Sequence, residues 1–374
     1  MIYKNIYPNP RNWYDHYLHL SKSIIQGRVD VPNLPLFYHD KLEFNGKTYI
    51  PFPPGASLIL IPLILIKEGI TQQQASILIG SIDITLIYLL LIKFTNKKNS
   101  ILLSIFLGLG TSFFWSAVVG TTWFFAHIVA IFYLTLSLLL LFKTNTKSFK
   151  KTWIILFLSG IFFALAGLTR YPILASGLFF VIYLWKDKSK LIAFLFGASF
   201  FVPLQIYYDF LRFGVFFESG YTKIYEWYTN LGYAYSIERI LFPTLSHLNY
   251  FDLRAIPYHI YTFLFMPPEG FRPSPFGMGI LFTSPLLFLT LIPKFKTKLE
   301  RNIYFSIIPT VFLIFLHYAQ GWVQFGYRFV LDFIVFLMII LALRFKPTKF
   351  NLLLILISII VNFWGVIWAI NLGW

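Results

Sequence analysis

Ten apolar stretches of nearly membrane-spanning length recur along this chain of 374 residues. The hydrocarbon core of a bilayer is about 30 Å thick, so a helix needs about 20 predominantly apolar residues to cross it. Only 12% of the residues are charged and 57% are hydrophobic, whereas a soluble domain has roughly a quarter of its residues charged. So few charges could not cover a water-facing surface. The sequence therefore predicts an all-α integral membrane protein.

One further apolar run does not fit the pattern of spanning helices. It covers residues 55–66, which are too few to cross the bilayer, and it contains Pro62. We therefore expect a juxtamembrane helix on the outer face rather than an additional span. The ten predicted spans are 75–93, 100–118, 122–142, 152–168, 172–185, 190–208, 276–293, 302–318, 328–344 and 350–370.

Basic residues are concentrated in the loops that follow every second predicted span. These five loops hold 17 of the 31 lysines and arginines, and an excess of Lys and Arg is typical of cytoplasmic loops. The net charge of +16 is thereby explained by topology, and we expect no nucleic-acid partner. The basic residues are Lys93, Lys97, Lys98, Lys143, Lys147, Lys150, Lys151, Lys186, Lys188, Lys190, Lys294, Lys296, Lys298, Arg301, Arg344, Lys346 and Lys349.

This topology divides the chain into four regions: a first outer loop (1–74), helices (75–208), a second large outer loop (209–275) and further helices (276–374). Eleven of the fifteen Asp and Glu residues lie in the two outer loops, which favours chemistry or sugar binding at the outer surface. A positive-inside topology would by itself keep acids out of the inner loops, so a purely topological explanation of this distribution also stays open. Aromatic rings suit both sugar faces and membrane interfaces, and they crowd the second loop: Tyr221, Tyr225, Trp227, Tyr228, Tyr233 and Tyr235.

Several motifs give the chain a family resemblance. Residues 13–28 read WYDHYLHLSKSIIQGR, and residues 46–55 read GKTYIPFPPG immediately before the short apolar run. Together with three later segments they resemble the GT-C membrane glycosyltransferases, in particular the bacterial branch similar to protein mannosyltransferases and lipid A aminoarabinose transferases. The later segments are GLTRYP (167–172), LRFG (211–214) with ESGY (218–221), and GWVQFGYR (321–328).

The resemblance implies a GT-C-like polytopic bundle that transfers a sugar from a polyprenyl-phosphate donor to a glycan, lipid or protein acceptor. It places the protein in the cell membrane, with a bacterial inner membrane expected, and the active site on the outer face. Two features depart from the family. Many relatives have a second acid at the position of His16, and a first helix precedes the loop in that branch. We therefore expect an apolar helix encoded upstream of Met1; translocation of the loop with the first hairpin is the alternative.

Asp15 is the first candidate for a catalytic base, and Asp40 is the second. Inverting sugar transfer needs a group that takes the proton of the acceptor hydroxyl. The pattern of residues 14–25 predicts a half-buried helix whose first turn holds Asp15, and the resemblance matches this residue to the acid of the family's first outer loop. Alternatively, Asp15 only stabilises a helix N-terminus through the dipole. Asp40, beside His39, has its own structural explanation as a loop residue among solvated neighbours.

Arg170, Arg212, Arg328 and His127 are candidates for binding the donor phosphate. The reaction needs cations that stabilise charge on the departing phosphate, and a planar guanidinium matches phosphate with two hydrogen bonds. Each candidate also has a structural explanation. Arg170 could extend to lipid headgroups, and His127 could be a packing residue. Arg328 stands four residues before Asp332, which on an α-helix would put both side chains on one face as an ion pair.

No metal-ligand pattern appears at helical spacing, although a Mg²⁺ or Mn²⁺ site built from Asp15 and a distant carboxylate stays open. No P-loop is present either. We expect a polyprenyl-phosphate sugar and membrane lipids as partners, and no certain cofactor. The competing functional class is a transporter or lipid flippase, which would contain paired broken helices near mid-membrane; the sequence shows no such pair. A membrane scaffold is a third class.

Overall fold

The computed structural model describes residues 14–32, 34–35, 38–143, 148–230, 248–269, 277–319, 321 and 323–372. Across these residues the chain is helical, apart from an isolated bridge and one hairpin. In the hairpin, β1 (Leu42–Phe44) pairs antiparallel with β2 (Lys47–Tyr49). The prediction of an all-α membrane protein is confirmed.

Within the described chain, six helices are long and apolar enough to cross a bilayer, and a bent pair would make a seventh span. The bent pair is α4 (Lys97–Gly110) and α5 (Ser112–Val119), whose axes differ by 58°. The predicted total of ten spans is therefore not confirmed. The six are α3 (Gln72–Leu91), α6 (Thr122–Leu141), α7 (Phe149–Thr169), α9 (Lys188–Ser199) continuing into α10 (Val202–Phe213), α15 (Lys298–Leu316) and α17 (Lys349–Leu372).

Several predicted spans are interrupted at identifiable residues. The prediction of one continuous helix over 276–293 is wrong. Its described part breaks at Ser284, which has non-helical φ −148° and ψ 59°, and Pro285 has no N–H to continue the helix. The stretch 100–118 breaks at Thr111, whose side chain accepts a hydrogen bond that starts α5. The stretch 276–293 is thereby divided into α13 (Ile280–Thr283), a 3₁₀ helix (Pro285–Leu287) and α14 (Phe288–Leu291).

Two other predicted spans begin with a 3₁₀ helix. In the first, Tyr171–Ser176 precedes α8 (Gly177–Leu184), and in the second, Arg328–Asp332 precedes α16 (Ile334–Arg344).

The two ends of the bundle carry different loops. We call the end where the polar loops pack the loop end: the Thr122 backbone N–H donates to Tyr14 O at 2.8 Å, and Arg212 donates to Ile50 O at 3.0 Å. Because the helices alternate in direction, the turns between α3 and α4 and between α16 and α17 lie at the opposite end. These turns carry the basic tracts, so we call that end the lysine end.

The first polar region is built from two helices around the hairpin, α1 (His16–Ile25) and α2 (Gly55–Ile66). The short helix predicted over 55–66 is therefore confirmed, with Pro62 inside it. Crossed hydrogen bonds join the two helices: Ser21 donates to Ser57 O at 2.9 Å, and Ser57 donates to Tyr17 O at 3.1 Å.

Gly55 lets this region pack against the end of α7. A Cβ added at Gly55 would lie 2.6 Å from the backbone carbon of Leu168 and 2.5 Å from Thr169 Oγ1. A glycine is therefore required for the close approach of the two backbones. The first polar region is in this way fixed directly on the membrane bundle.

The second polar region contributes α11 (Gly220–Asn230) and α12 (Ala255–Leu264). Tyr233 and Tyr235, two of the aromatic residues predicted to crowd this loop, lie in 231–247, outside the described residues. The described helices therefore represent the beginning and the end of the region.

A short antiparallel contact fixes the second region on the end of α15. The Asp252 N–H donates to Leu316 O at 2.7 Å, and the Tyr318 N–H donates to Tyr250 O at 3.2 Å. Both polar regions and the ends of several membrane helices consequently meet at the loop end.

Candidate active site

Asp332 is the centre of a buried ion cluster at the loop end. Arg170 donates two hydrogen bonds to it, from Nε to Oδ1 at 3.0 Å and from Nη2 to Oδ2 at 2.8 Å. His127 Nδ1 lies 2.8 Å from the same Oδ1, and the His127 and Asp332 side chains are fully buried. The cluster joins α6, the end of α7 and the 3₁₀ turn at 328–332. Removing Arg170 would leave the charge of Asp332 buried and without its partner, which is costly.

This arrangement overturns the ion pair that the sequence offered as the structural explanation of Arg328. Asp332 is paired with Arg170 instead, and no ion pair joins it to Arg328 among the described residues. The reason is local: residues 328–332 form a 3₁₀ helix, which has three residues per turn. A spacing of four residues does not place two side chains on one face of such a helix.

Arg328 is a buried cation without a contacting acid in the described part of the chain. Its residue is 8% exposed, and its buried Nε lacks a hydrogen-bond partner. The guanidinium lies against aromatic rings, 5.4 Å from the centre of Phe124 and 5.2 Å from that of Phe329. A Cβ at Gly321 would be 2.6 Å from Nη2, so glycine leaves room for this side chain. A buried charge in this situation calls for an anionic partner.

Asp40 is a candidate base whose charge acts on Arg328. Its backbone has a positive φ of 53°, and its Oδ2 accepts a hydrogen bond from Trp123 Nε1 at 2.6 Å. The Asp40 charge acts favourably on Arg328 and also reaches the Tyr221 hydroxyl. The structure thus groups Asp40 and Arg328 with the cluster of Arg170, which sequence reasoning had not connected.

Asp15 is the residue immediately before α1, not a member of its first turn. Its carboxylate does not cap the helix. Instead Oδ1 accepts a hydrogen bond from the Tyr38 hydroxyl at 2.6 Å and lies 3.2 Å from His19 Nε2. Its second oxygen has no hydrogen bond in the described chain. The position directly before α1 leaves the dipole explanation of Asp15 open, but its hydrogen bond is made to Tyr38 and not to the helix backbone.

Asp15 lines a cavity of about 310 Å³ at the loop end. Burial acts to raise the pKa of Asp15, but hydrogen bonds from His19 and Tyr38 outweigh it and hold the pKa below its usual value. The carboxylate is therefore ionised at neutral pH and able to accept a proton. The other lining residues are Leu18, His19, Lys22, Pro35, Tyr38, Gly69, Ile70 and Thr71.

Arg212 lies apart from this group and ties α10 to the first polar region. It donates to Asp209 Oδ1 at 2.6 Å and to the Ile50 carbonyl at 3.0 Å, and it is 2% exposed. Its Nη1 and Nη2 groups are thus occupied by protein atoms. A phosphate contact for Arg212 stays a prediction, and its observed contacts are structural.

His16, which takes the place of a second acid, anchors the first polar region. Its backbone N–H donates to Thr122 Oγ1 at 3.0 Å, and its Nε2 lies 2.8 Å from the His39 carbonyl, which can only accept. Burial lowers the pKa of His16 to about 4, so the ring is neutral at pH 7. The sequence drew attention to His16 only through its position beside Asp15. Its anchoring contacts could not be predicted, because both partners lie more than twenty residues away in the chain.

In the part of the chain that the structure describes, no group of three His, Asp or Glu side chains is arranged to hold a metal ion. A divalent cation held by Asp15 and a distant carboxylate therefore stays a prediction.

Two solved structures share this architecture. Both are of the Archaeoglobus fulgidus oligosaccharyltransferase, one in the apo form and one tethered through a disulfide to an acceptor peptide containing the NVT sequon. The apo structure matches with a TM-score of 0.53 at 13% identity, and the tethered structure with 0.52 at 15% identity. The chain shares the fold of this oligosaccharyltransferase.

The match covers 98% of this chain but 54% and 53% of the two oligosaccharyltransferase chains, so the chain spans about half their length. At these identities the likeness shows the fold alone. No protein-family model and no curated protein matches the sequence. The resemblance to GT-C enzymes found in the motifs is thus supported by the fold, whereas the bacterial branch and the additional first helix are not confirmed.

Proposed function

We propose that this membrane protein is a glycosyltransferase that moves a sugar from a polyprenyl-phosphate donor to an acceptor outside the cytoplasm. The observation that carries the proposal is Arg328, a buried guanidinium with no acid in contact within the described chain. A GT-C-type fold and two carboxylates at the same end of the bundle support it. A scaffold protein would have no need of a buried unpaired cation.

In this proposal the donor phosphate binds Arg328. Guanidinium groups match phosphate oxygens with parallel hydrogen bonds, and they stabilise the charge that grows on the phosphate as the sugar leaves. Arg170 and His127 act by holding Asp332, which keeps that acid from neutralising Arg328. A direct phosphate contact from either residue remains a further prediction.

Asp15 is the proposed base. It is ionised, has an oxygen without a hydrogen bond in the described chain, and lines a cavity that could admit an acceptor hydroxyl. The base takes the hydroxyl proton while the oxygen attacks the anomeric carbon and the bond from that carbon to the phosphate oxygen breaks. Asp40 is the second candidate, because its charge acts on Arg328.

The membrane orientation follows from the basic tracts at the lysine end. Lysine-rich turns favour the cytoplasm, which puts the loop end and its carboxylates on the opposite side. The proposed acceptor is a hydroxyl group of a glycan, a lipid or a protein. The neighbouring oligosaccharyltransferase was solved with a tethered acceptor peptide, which supports acceptor binding by a protein of this fold.

The test is a transfer assay on purified protein in lipid nanodiscs, with radiolabelled polyprenyl-phosphate sugars and membrane extract as acceptor. Asp15→Asn should lower the transfer rate by about 10²–10⁴-fold, because a general base is lost while size is kept. Glu43→Gln is the control, since the Glu43 side chain in the same region is 74% exposed. Donor binding should survive in both variants.

Wild-type transfer rates in Asp15→Asn would contradict the assignment of the base. If Asp40→Asn alone abolished transfer, Asp40 would be the base and the enzyme class would stand. A transporter would instead move the labelled lipid between leaflets without forming a new glycoside, and an assay of leaflet exchange with the protein reconstituted in sealed vesicles would show this.

A further inference from the structure

His317 lies beside the candidate phosphate site and has no place in the roles assigned so far. It directly follows α15 at the loop end, where its backbone forms a bridge with Phe251. His259 joins His317 to the residue before Arg328: its Nε2 lies 2.7 Å from the His317 carbonyl oxygen, and its Nδ1 lies 2.8 Å from the Tyr327 hydroxyl. The Tyr250 ring packs edge-on against it with centroids 5.0 Å apart.

The hydrogen bonds of His317 determine which nitrogen is free. Nδ1 lies 2.7 Å from the Ala319 carbonyl oxygen, which can only accept, and 3.3 Å from the Ala319 backbone nitrogen, whose N–H would donate to an unprotonated Nδ1. The carbonyl contact is much the shorter of the two, so we assign the proton to Nδ1. In a neutral ring Nε2 then has a lone pair. Burial, followed by the charges of Arg170 and Arg328, lowers the pKa of His317 to about 4, so the ring is neutral at pH 7. Within the described chain Nε2 has no hydrogen-bond partner, and it is not among the fully buried polar atoms.

Tyr221 provides a second polar atom near Arg170, because its ring contacts that of Tyr171, the residue directly after this arginine. Its hydroxyl has no hydrogen bond in the described residues, and the charges of Arg170, Asp40 and Arg328 act on it. The ring is held by Phe52 and Tyr171, with centroids 5.9 and 6.0 Å away. A neutral acceptor and a phenol beside a phosphate-binding cation are the groups that sugar hydroxyls need, because each hydroxyl both donates and accepts.

We propose that His317 Nε2 accepts a hydrogen bond from a hydroxyl of the donor sugar, with the Tyr221 hydroxyl as a second contact to the same sugar. This inference rests on the proposed function and adds to it the residues that recognise the sugar rather than the phosphate. His317 is a binding residue in this role, and the proton transfer belongs to a carboxylate.

Two substitutions separate sugar recognition from structure. In His317→Asn the side-chain amide can place an N–H near the former position of Nδ1 and still donate to Ala319 O. The asparagine has no atom at the former position of Nε2. A glutamine reaches the position of Nε2 with an amide oxygen but loses the Nδ1 contact. A purely structural role for His317 therefore predicts that His317→Asn is tolerated and His317→Gln is not, and sugar recognition predicts the reverse.

The measurement is the affinity of wild-type and variant protein in nanodiscs for two probes, polyprenyl monophosphate and polyprenyl phosphates carrying a single hexose, pentose or amino sugar. His317→Asn should bind the preferred sugar-bearing lipid about 10-fold more weakly, as expected for one lost hydrogen bond to a buried group. Its affinity for the bare phosphate should stay within about twofold. His317→Gln should recover most of the sugar-dependent affinity.

Unchanged affinity of His317→Asn for the sugar-bearing lipid would overturn the inference, as would an equal loss for both lipids. Wild-type protein that bound neither lipid would overturn the proposed function and this inference together. Tyr221→Phe gives an independent check, because it removes only one hydroxyl. It should weaken binding of the sugar-bearing lipid and leave the affinity for polyprenyl monophosphate unchanged.

Discussion

Arg328 and Arg344 stand at the two ends of one buried segment, and their surroundings differ in a way that separates structure from function. At the lysine end, Arg344 contacts the Glu300 carboxylate and also donates to the carbonyls of Leu289 and Ile292, at 2.7 and 2.8 Å. At the loop end, Arg328 contacts no acid in the described chain. Arg344 is thus paired with an acid and with two carbonyl groups, whereas Arg328 has no acid in contact within the described chain.

The contrast has a physical reason at each end. The broken helix over 280–292 leaves carbonyl groups without intrahelical donors, and Arg344 supplies those donors while it neutralises Glu300. At the loop end the available acid, Asp332, is held by Arg170 and His127. A positive charge is therefore retained where the polar loops meet, which is where an anionic substrate can reach it.

The comparison predicts its largest effect on stability at Arg344. Arg344→Ala leaves Glu300 buried without its partner, and breaking a buried ion pair in this way costs about 3–5 kcal/mol. Thermal unfolding in a mild detergent should show a large decrease in Tm. Arg301→Ala, an exposed arginine near the same end, is the control and should change Tm little. Equal Tm values for the two variants would show that Arg344 is not the structural arginine.

Arg328 should behave in the opposite way. Arg328→Met removes an unpaired buried cation and keeps an apolar chain against Phe124 and Phe329, so the free energy of unfolding should stay within about 1 kcal/mol of wild type or rise. The same detergent unfolding experiment measures this. A loss as large as that of Arg344→Ala would mean that Arg328 is satisfied by contacts within the protein, and the comparison would fail.

Much of the fold was accessible from the sequence because it depends on local composition. The short helix at 55–66 was predicted with its observed ends, since its length and Pro62 are both local signals. The break at Ser284 was missed. An apolar composition alone does not distinguish one long helix from two short ones, and Pro285 is tolerated at the start of the second.

The site was less accessible, because its pairings join distant segments. The candidates Asp15, Asp40, Arg170 and Arg328 were all named from their residue types and positions. Their partners were not. The bond from Arg170 to Asp332 spans 162 residues, and the assumption of an α-helix at 328–332 produced the wrong ion pair. His317 had no local signal, since its free nitrogen is defined by the tertiary contacts of its neighbours.

The central claim is that Arg328 holds the phosphate of the donor lipid, and binding of polyprenyl monophosphate tests it most directly. Wild-type protein, Arg328→Met and the control Arg301→Ala would be compared in nanodiscs of neutral lipid by titration with this probe. Loss of the guanidinium should weaken binding by about 10- to 100-fold, as expected for charge-assisted hydrogen bonds, and Arg301→Ala should bind as wild type. Equal affinities for all three proteins would contradict the claim.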